Sequence, residues 1–206
     1  MKKICLGLEG FAAARERINI DEGWQFRLEP LKEWRTVDLP HDWAVEAPFS
    51  KDNHGRNAWL PGGIGHYRKE INIPSSDESQ QFELQFDGVY RHAEVRVNGT
   101  SLGMQYDGYT SFYYDITPHI RFGEQNLIEV KVSNADVPNC RWYTGSGIYR
   151  HVWLTKTAPV RVANWGTFIT TPEVDAKKAT VNVRTEIENG GRETWFELET
   201  TLLDSS

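Results

Sequence analysis

The chain has little of what disulfide scaffolds, membrane spans and nucleic-acid binders are made from. Only two of its 206 residues are cysteine, Cys5 and Cys140. Their surroundings differ, so neither a disulfide framework nor a cysteine-based metal site is expected. No apolar run is long enough to span a bilayer. Lys and Arg number 23 against 29 Asp and Glu, a formal net charge of −6, and no block of basic residues stands out. Nucleic acid and anionic membrane are poor partners for such a chain. His41, His54 and His66 are scattered without the spacing that metal ligation uses, so no metal or other cofactor is expected. No long stretch has helical periodicity.

What is present is β-structure and aromatic rings. The apolar share is 39%, enough for a real core, and eight residues are Trp. Trp is large and hard to bury completely, so many copies point to ring faces used at a surface or cleft. Phe82, Leu84 and Phe86 alternate with Glu83 and Gln85. Ala93, Val95 and Val97 alternate with Glu94 and Arg96, and Ile128, Val130 and Val132 with Glu129 and Lys131. Each run predicts a half-buried strand with one wet face. Asn98-Gly99 follows the second run and predicts a hairpin turn, since both residues accept positive φ. Asn98-Gly99-Thr100 also matches a glycosylation sequon, a weaker reading than the turn. Short strands separated by turn signals suggest a sandwich or jelly roll.

The first residues, MKKICLGLEGFAAARERI, place Lys2 and Lys3 before a short apolar run, with Ala12–Ala14 as a small-residue cleavage candidate. That is the outline of an export signal, although Glu9 interrupts the run. Residues 1–18 are therefore read either as a signal remnant or as a plain leader. The first implies a periplasmic or secreted bacterial protein, the second a cytoplasmic one. A boundary is expected at Ala158-Pro159. Beyond it VRVANWGTFITT, KATVNVRTEIENGG and WFELETTLL read as three further strands, with Pro172 and Asn189-Gly190-Gly191 as punctuation. An immunoglobulin-like sandwich needs about seven strands, so residues 159–206 are expected to be an incomplete one.

A series of motifs in fixed order carries a family resemblance. GWQFRL, VDLPHDWAVE, GHYRKEINIP, FDGVYRHAEVRVNGTSLG, DGYTSFYYDITPHI, NLIEVKVSN and RWYTGSGIYRHVWL together resemble the N-terminal sugar-binding domain of glycoside hydrolase family 2, most of all its bacterial β-galactosidases. β-Mannosidases and β-glucuronidases share the architecture. The resemblance implies an all-β chain: a galactose-binding-like β-jelly-roll over residues 19–158, then the start of an immunoglobulin-like β-sandwich over 159–206. Family 2 enzymes place two catalytic glutamates in a later (β/α)₈ barrel and act with retention. A barrel takes about 250 residues, so no catalytic residue is expected in this chain. The implied partners are a β-galactoside or related glycan and the catalytic barrel of the full-length chain, with homo-oligomer formation left open.

In the family, the loop before the last jelly-roll strand reaches toward the barrel and touches substrate. Here it reads NADVPNCRWYTGSGIYR. Several members carry an aspartate where this chain has Arg141. A guanidinium presents five donors in a planar fork suited to neighbouring sugar hydroxyls. Trp142 and Tyr143 offer ring faces to a pyranose, or pack as core. Arg150 is read as pairing within the domain. The loop NAWLPGGIGHYR matches a second family loop, but Gly62 stands near a position where some members carry a sugar-contacting asparagine. Asp42, Asp87, Asp107 and Asp115 read as turn and capping residues. Two other functions stay open: a stand-alone carbohydrate-binding module, and a ligand-free structural or assembly domain.

Overall fold

Alternation of apolar and polar residues sets the sheet faces. In the strand Gln125–Asn134, Ile128, Val130 and Val132 are buried while Glu129 and Lys131 point away from the core. The computed structural model describes residues 15–135 and 143–203. Its strands are β1 (Glu16–Asn19), β2 (Trp24–Leu28), β3 (Arg35–Val37), β4 (Gly63–Asn72), β5 (Gln81–Phe86), β6 (Ala93–Val97), β7 (Thr100–Gln105), β8 (Phe112–Asp115), β9 (Gln125–Asn134), β10 (Val152–Thr157), β11 (Val160–Val174) and β12 (Ala179–Asn189). Among the described residues, helix is limited to three single 3₁₀ turns. The expected leader, residues 1–18, lies mostly outside the described residues, as do Cys5 and Cys140.

The described residues form two compact units. The first comprises Arg17–Glu78 and Phe82–Thr155. It is the sandwich expected for a jelly roll. A six-stranded sheet has the order β3-β2-β4-β9-β6-β7, and a four-stranded sheet the order β1-β10-β5-β8. All register pairs of the larger sheet are antiparallel. Trp24, Phe26, Tyr67, Val95, Val97, Ile128 and Val130 from the larger sheet join Phe82, Leu84, Phe86, Val152 and Leu154 from the smaller in one core.

Strand β5 departs from expectation. Glu83 and Gln85, assigned to a wet face, are buried along with Phe82, Leu84 and Phe86. Gln85 belongs to a polar group with Asp87 and Trp153. Gln85 donates to Asp87 Oδ1 at 2.8 Å, and Asp87 Oδ2 accepts the Trp153 indole N–H at 2.8 Å. Paired in this way, a polar residue tolerates burial that alternation alone would not anticipate. Asp115 behaves as a turn residue: its Oδ1 accepts the Thr117 N–H at 2.9 Å, just ahead of the 3₁₀ turn Thr117–His119.

The hairpin turn forms as expected, with Asn98 at φ 50° and Gly99 at φ 82° between β6 and β7. Asn98 does more than turn. Its amide donates to His119 O and Asn126 Oδ1, both at 2.8 Å, and its Oδ1 accepts from Leu127 N at 2.9 Å. A side chain so engaged is poorly placed to serve as a glycan acceptor.

The second compact unit holds Ser79–Gln81 and the described residues from Lys156 onward, with residues 15–16. Its core feature is an antiparallel ribbon of β11 and β12. Asp175 closes the connecting turn, its Oδ1 accepting from Lys177 N at 2.7 Å and Lys178 N at 3.0 Å. Two strands form here rather than three. WFELETTLL lies in the extended tail after β12, without ladder pairing, and Trp195 is 98% exposed. A strand exists only where another offers ladder partners, and alternation cannot supply one. Pro172 sits inside β11, at the register shift between Thr170 and Glu173, rather than between strands. A shift of this kind removes the need for a ladder donor that proline lacks.

The Asn98 network yields a stability test. Asn98→Ala removes three hydrogen bonds and places a Cβ-bearing residue without local bonding at positive φ; a loss of about 2–3 kcal/mol is expected in urea unfolding. Asn98→Gly relieves the φ constraint and should cost less. Equal losses for the two variants would show that the turn conformation contributes nothing.

Candidate functional site

The segment Ser146–Ile148 runs between two neighbours. On one side His41 N donates to Ile148 O at 2.8 Å and Trp43 N to Ser146 O at 3.1 Å. On the other, Tyr90 and Gly147 exchange both backbone bonds, at 2.9 and 2.8 Å. Glycine is required for this approach. Gly147 has φ 129°, and a Cβ there would lie 2.4 Å from the Tyr67 hydroxyl and 2.7 Å from His41 O.

Asp42 fastens the loop ahead of this segment. Its Oδ1 accepts from Ala44 N and Ser146 N, each at 3.0 Å, and its Oδ2 accepts the Tyr143 hydroxyl. Burial and the adjoining Asp42 carboxylate push the Tyr143 phenol well above its usual range, so it remains a donor. Asn134, at the end of β9, adds bonds from Nδ2 to Gly145 O at 3.0 Å and to Ser146 Oγ at 2.8 Å. The turn 61–63 borders the same cluster. Gly62 O accepts the Trp43 indole N–H at 3.3 Å, and a Cβ on Gly62 would sit 2.3 Å from Asn134 O. No side chain fits at Gly62, so this loop approaches through its backbone.

Beneath Asp42 lies a polar group of three residues. His41, 7% exposed, shares a hydrogen bond between Nδ1 and the Tyr67 hydroxyl at 2.7 Å, and its Nε2 is 3.2 Å from Glu46 Oε1. Desolvation lowers the His41 pKa below its ordinary value, and Arg35 adds to this against the opposing pull of Glu46.

Of the residues singled out from sequence, Arg141 and Trp142 lie outside the described residues. Tyr143 is described, and its ring is partly buried against the core with its hydroxyl turned to Asp42. Arg150 is exposed, with its guanidinium 5.5 Å from the Tyr149 ring centroid. Asp42 and Asn134 were not singled out as site residues. The signal for Asp42 is its place in LPHDW, but a turn aspartate reads the same from sequence whether it caps its own turn or a distant loop. Among the described residues no group of three or more His, Cys, Asp or Glu is placed to hold a metal ion.

The lowered His41 pKa has a signed consequence. The unfolded chain, with a His pKa near 6.5, binds this proton before the folded protein does. Stability from neutral His41 is thus present above about pH 6.5 and lost as pH falls through that value. Thermal melts between pH 7.5 and 5.5 should show a smaller fall for His41→Gln than for wild type. Identical slopes would contradict the assignment.

Comparison with known proteins agrees with this architecture. A model of the sugar-binding domain of glycosyl hydrolases family 2 matches residues 3–158. The β-galactosidase BoGH2A of Bacteroides ovatus is 46% identical over 187 residues, covering 85% of this chain and 22% of the relative. A putative β-glucuronidase of Formosa agariphila is 34% identical, covering 85% of this chain and 18% of the relative. Among solved structures, a β-glycosidase from Bacteroides vulgatus superposes with a TM-score of 0.80 at 35% identity, over 86% of this chain and 25% of that one. The chain spans about a fifth to a quarter of the length of these relatives. By the family-model match over most of its length, the chain belongs to glycosyl hydrolase family 2 and contains that family's sugar-binding domain.

Proposed function

We propose that this chain is the non-catalytic N-terminal part of a retaining β-galactosidase and forms one wall of its substrate site. The observation that carries the reading is the fastening of residues 143–148 by Asp42, Asn134 and Tyr90. Arg141 and Trp142 immediately precede this fastened segment in the sequence, and the reading gives them the contacts with sugar. Arg141 takes the role of hydrogen-bond donor to sugar hydroxyls. Trp142 supplies a ring face, and Tyr143, committed to Asp42, contributes its ring edge and anchors the loop. Galactose is preferred over glucuronate as the glycone because the β-galactosidase relative is more similar than the β-glucuronidase one.

Catalysis in this proposal belongs to a separate (β/α)₈ barrel. Retaining hydrolysis needs two carboxyl groups about 5–5.5 Å apart across one glycosidic bond. Asp42 accepts from Tyr143 and two backbone donors, and Glu46 in the same cluster is engaged by His41 and Arg35. Residues 159–206 are read as the beginning of an immunoglobulin-like domain. In that reading the apolar residues left exposed on β11, Phe168 on one face and Ile169 on the other, include those of an inner face that further strands complete.

Kinetics of the complete protein test the wall. Arg141→Ala should raise KM and lower kcat/KM for a β-galactoside by the equivalent of about 1.5–3 kcal/mol without changing the melting temperature, while residues 1–206 alone turn over no chromogenic β-galactoside. Unchanged kinetics in Arg141→Ala, or turnover by residues 1–206, would contradict it.

A further inference from the structure

One exposed tryptophan in the sugar-binding unit is held by a backbone that proteins rarely adopt. Trp59 is 50% exposed. Ala58 and Trp59 are consecutive non-glycine residues in the left-handed region, at φ 50° and 62°. Such a conformation is disfavoured by the Cβ of each residue, and it persists only where surrounding bonds over-determine it; it concentrates at binding and switch sites. The bonds are present. Trp59 O accepts from Ser50 N at 3.0 Å and from Asn53 Nδ2 at 3.1 Å, Ala58 N donates to Gly55 O at 3.1 Å, and buried Asn57 donates from Nδ2 to Leu60 O at 2.9 Å.

One face of the indole is covered. A Cβ built on Gly55 would lie 3.1 Å from Cζ2 and 3.4 Å from each of its ring neighbours Cε2 and Cη2. Equal distances only slightly longer than the nearest one place that point above the ring, not at its edge. The Gly55 backbone therefore backs one face of the indole, and half of the residue is exposed. Trp59 is three residues before Gly62, so its Cα lies within about 11 Å of the turn that borders the Asp42 cluster.

We propose that Trp59 is a stacking platform for a pyranose ring, so that the enzyme favours β-linked oligosaccharides over simple glycosides. A flat indole with one face backed by protein matches the apolar face of a pyranose, whose hydroxyls remain directed outward to water. A rigid platform also avoids the ordering cost of a flexible one. The inference rests on the glycosidase reading above but not on the identity of the glycone.

The test uses the complete protein with paired substrates, methyl β-D-galactopyranoside and lactose, and the corresponding methyl and disaccharide β-glucuronides. Trp59→Ala should lower kcat/KM for the disaccharide about tenfold and leave the methyl glycoside within roughly twofold, whereas Trp59→Phe should restore most of the disaccharide activity. Equal loss on both substrates, or a lowered melting temperature in Trp59→Ala that Trp59→Phe also shows, would assign Trp59 to packing and overturn the proposal. An active wild type whose Trp59→Ala variant is unchanged on both substrates would also overturn it. Wild type that hydrolyses no substrate of either pair would instead remove the glycosidase reading, and this inference with it.

Discussion

A single carboxylate organises the candidate site. Asp42 accepts from the Tyr143 hydroxyl and from the amides of Ala44 and Ser146, so it closes its own turn and fastens a loop about a hundred positions away in sequence. Each oxygen is used. Hydrogen bonds to a charged acceptor contribute about 1.5–3 kcal/mol each, more than neutral pairs. The loop that ends in Gly145-Ser146-Gly147 has glycines that make it pliable, and Asp42 adds charged-acceptor bonds to the backbone and Asn134 bonds that hold its path.

The surrounding structure serves this contact. Gly147 lets the segment pass against Tyr67 and His41, and Gly62 lets the neighbouring turn pack on Asn134 O. His41 and Tyr67 form a buried polar pair under the Asp42 turn. Such a pair is costly unless satisfied, and once satisfied it fixes one arrangement of the loops above it. The β-sandwich supplies the rigid base. Val95, Val97, Ile128 and Val130 are fully enclosed, and the ends of β4 and β9 carry Gly63 and Asn134 to the rim.

Much of this was legible in the sequence. The alternating runs around Val95 and Ile128 and the Asn98-Gly99 turn specify strands and a hairpin directly, because period two and positive φ are local properties. The ordered motifs point to the family and to the loop 141–147. Less legible was whatever depends on partners distant in sequence. Glu83 and Gln85 alternate like solvent-facing residues, yet both are buried, and Gln85 bonds to Asp87, which also accepts from Trp153. WFELETTLL alternates like a strand but has no ladder to join among the described residues. Asp42 reads as a turn residue, which it is; its second role needs Tyr143 and Ser146 to arrive beside it. The Trp count likewise gives no location. Trp24 and Trp43 are core, while Trp59 and Trp195 are exposed.

Amide hydrogen exchange at Ser146 is the most direct measure of the fastening. Its N–H donates to Asp42 Oδ1, so in wild type it should exchange slowly, and in Asp42→Ala it should exchange at least about tenfold faster while the amides of Ile128 and Val130 in β9 are unchanged. Fast exchange at Ser146 in wild type, or no change on removing the carboxylate, would contradict the account.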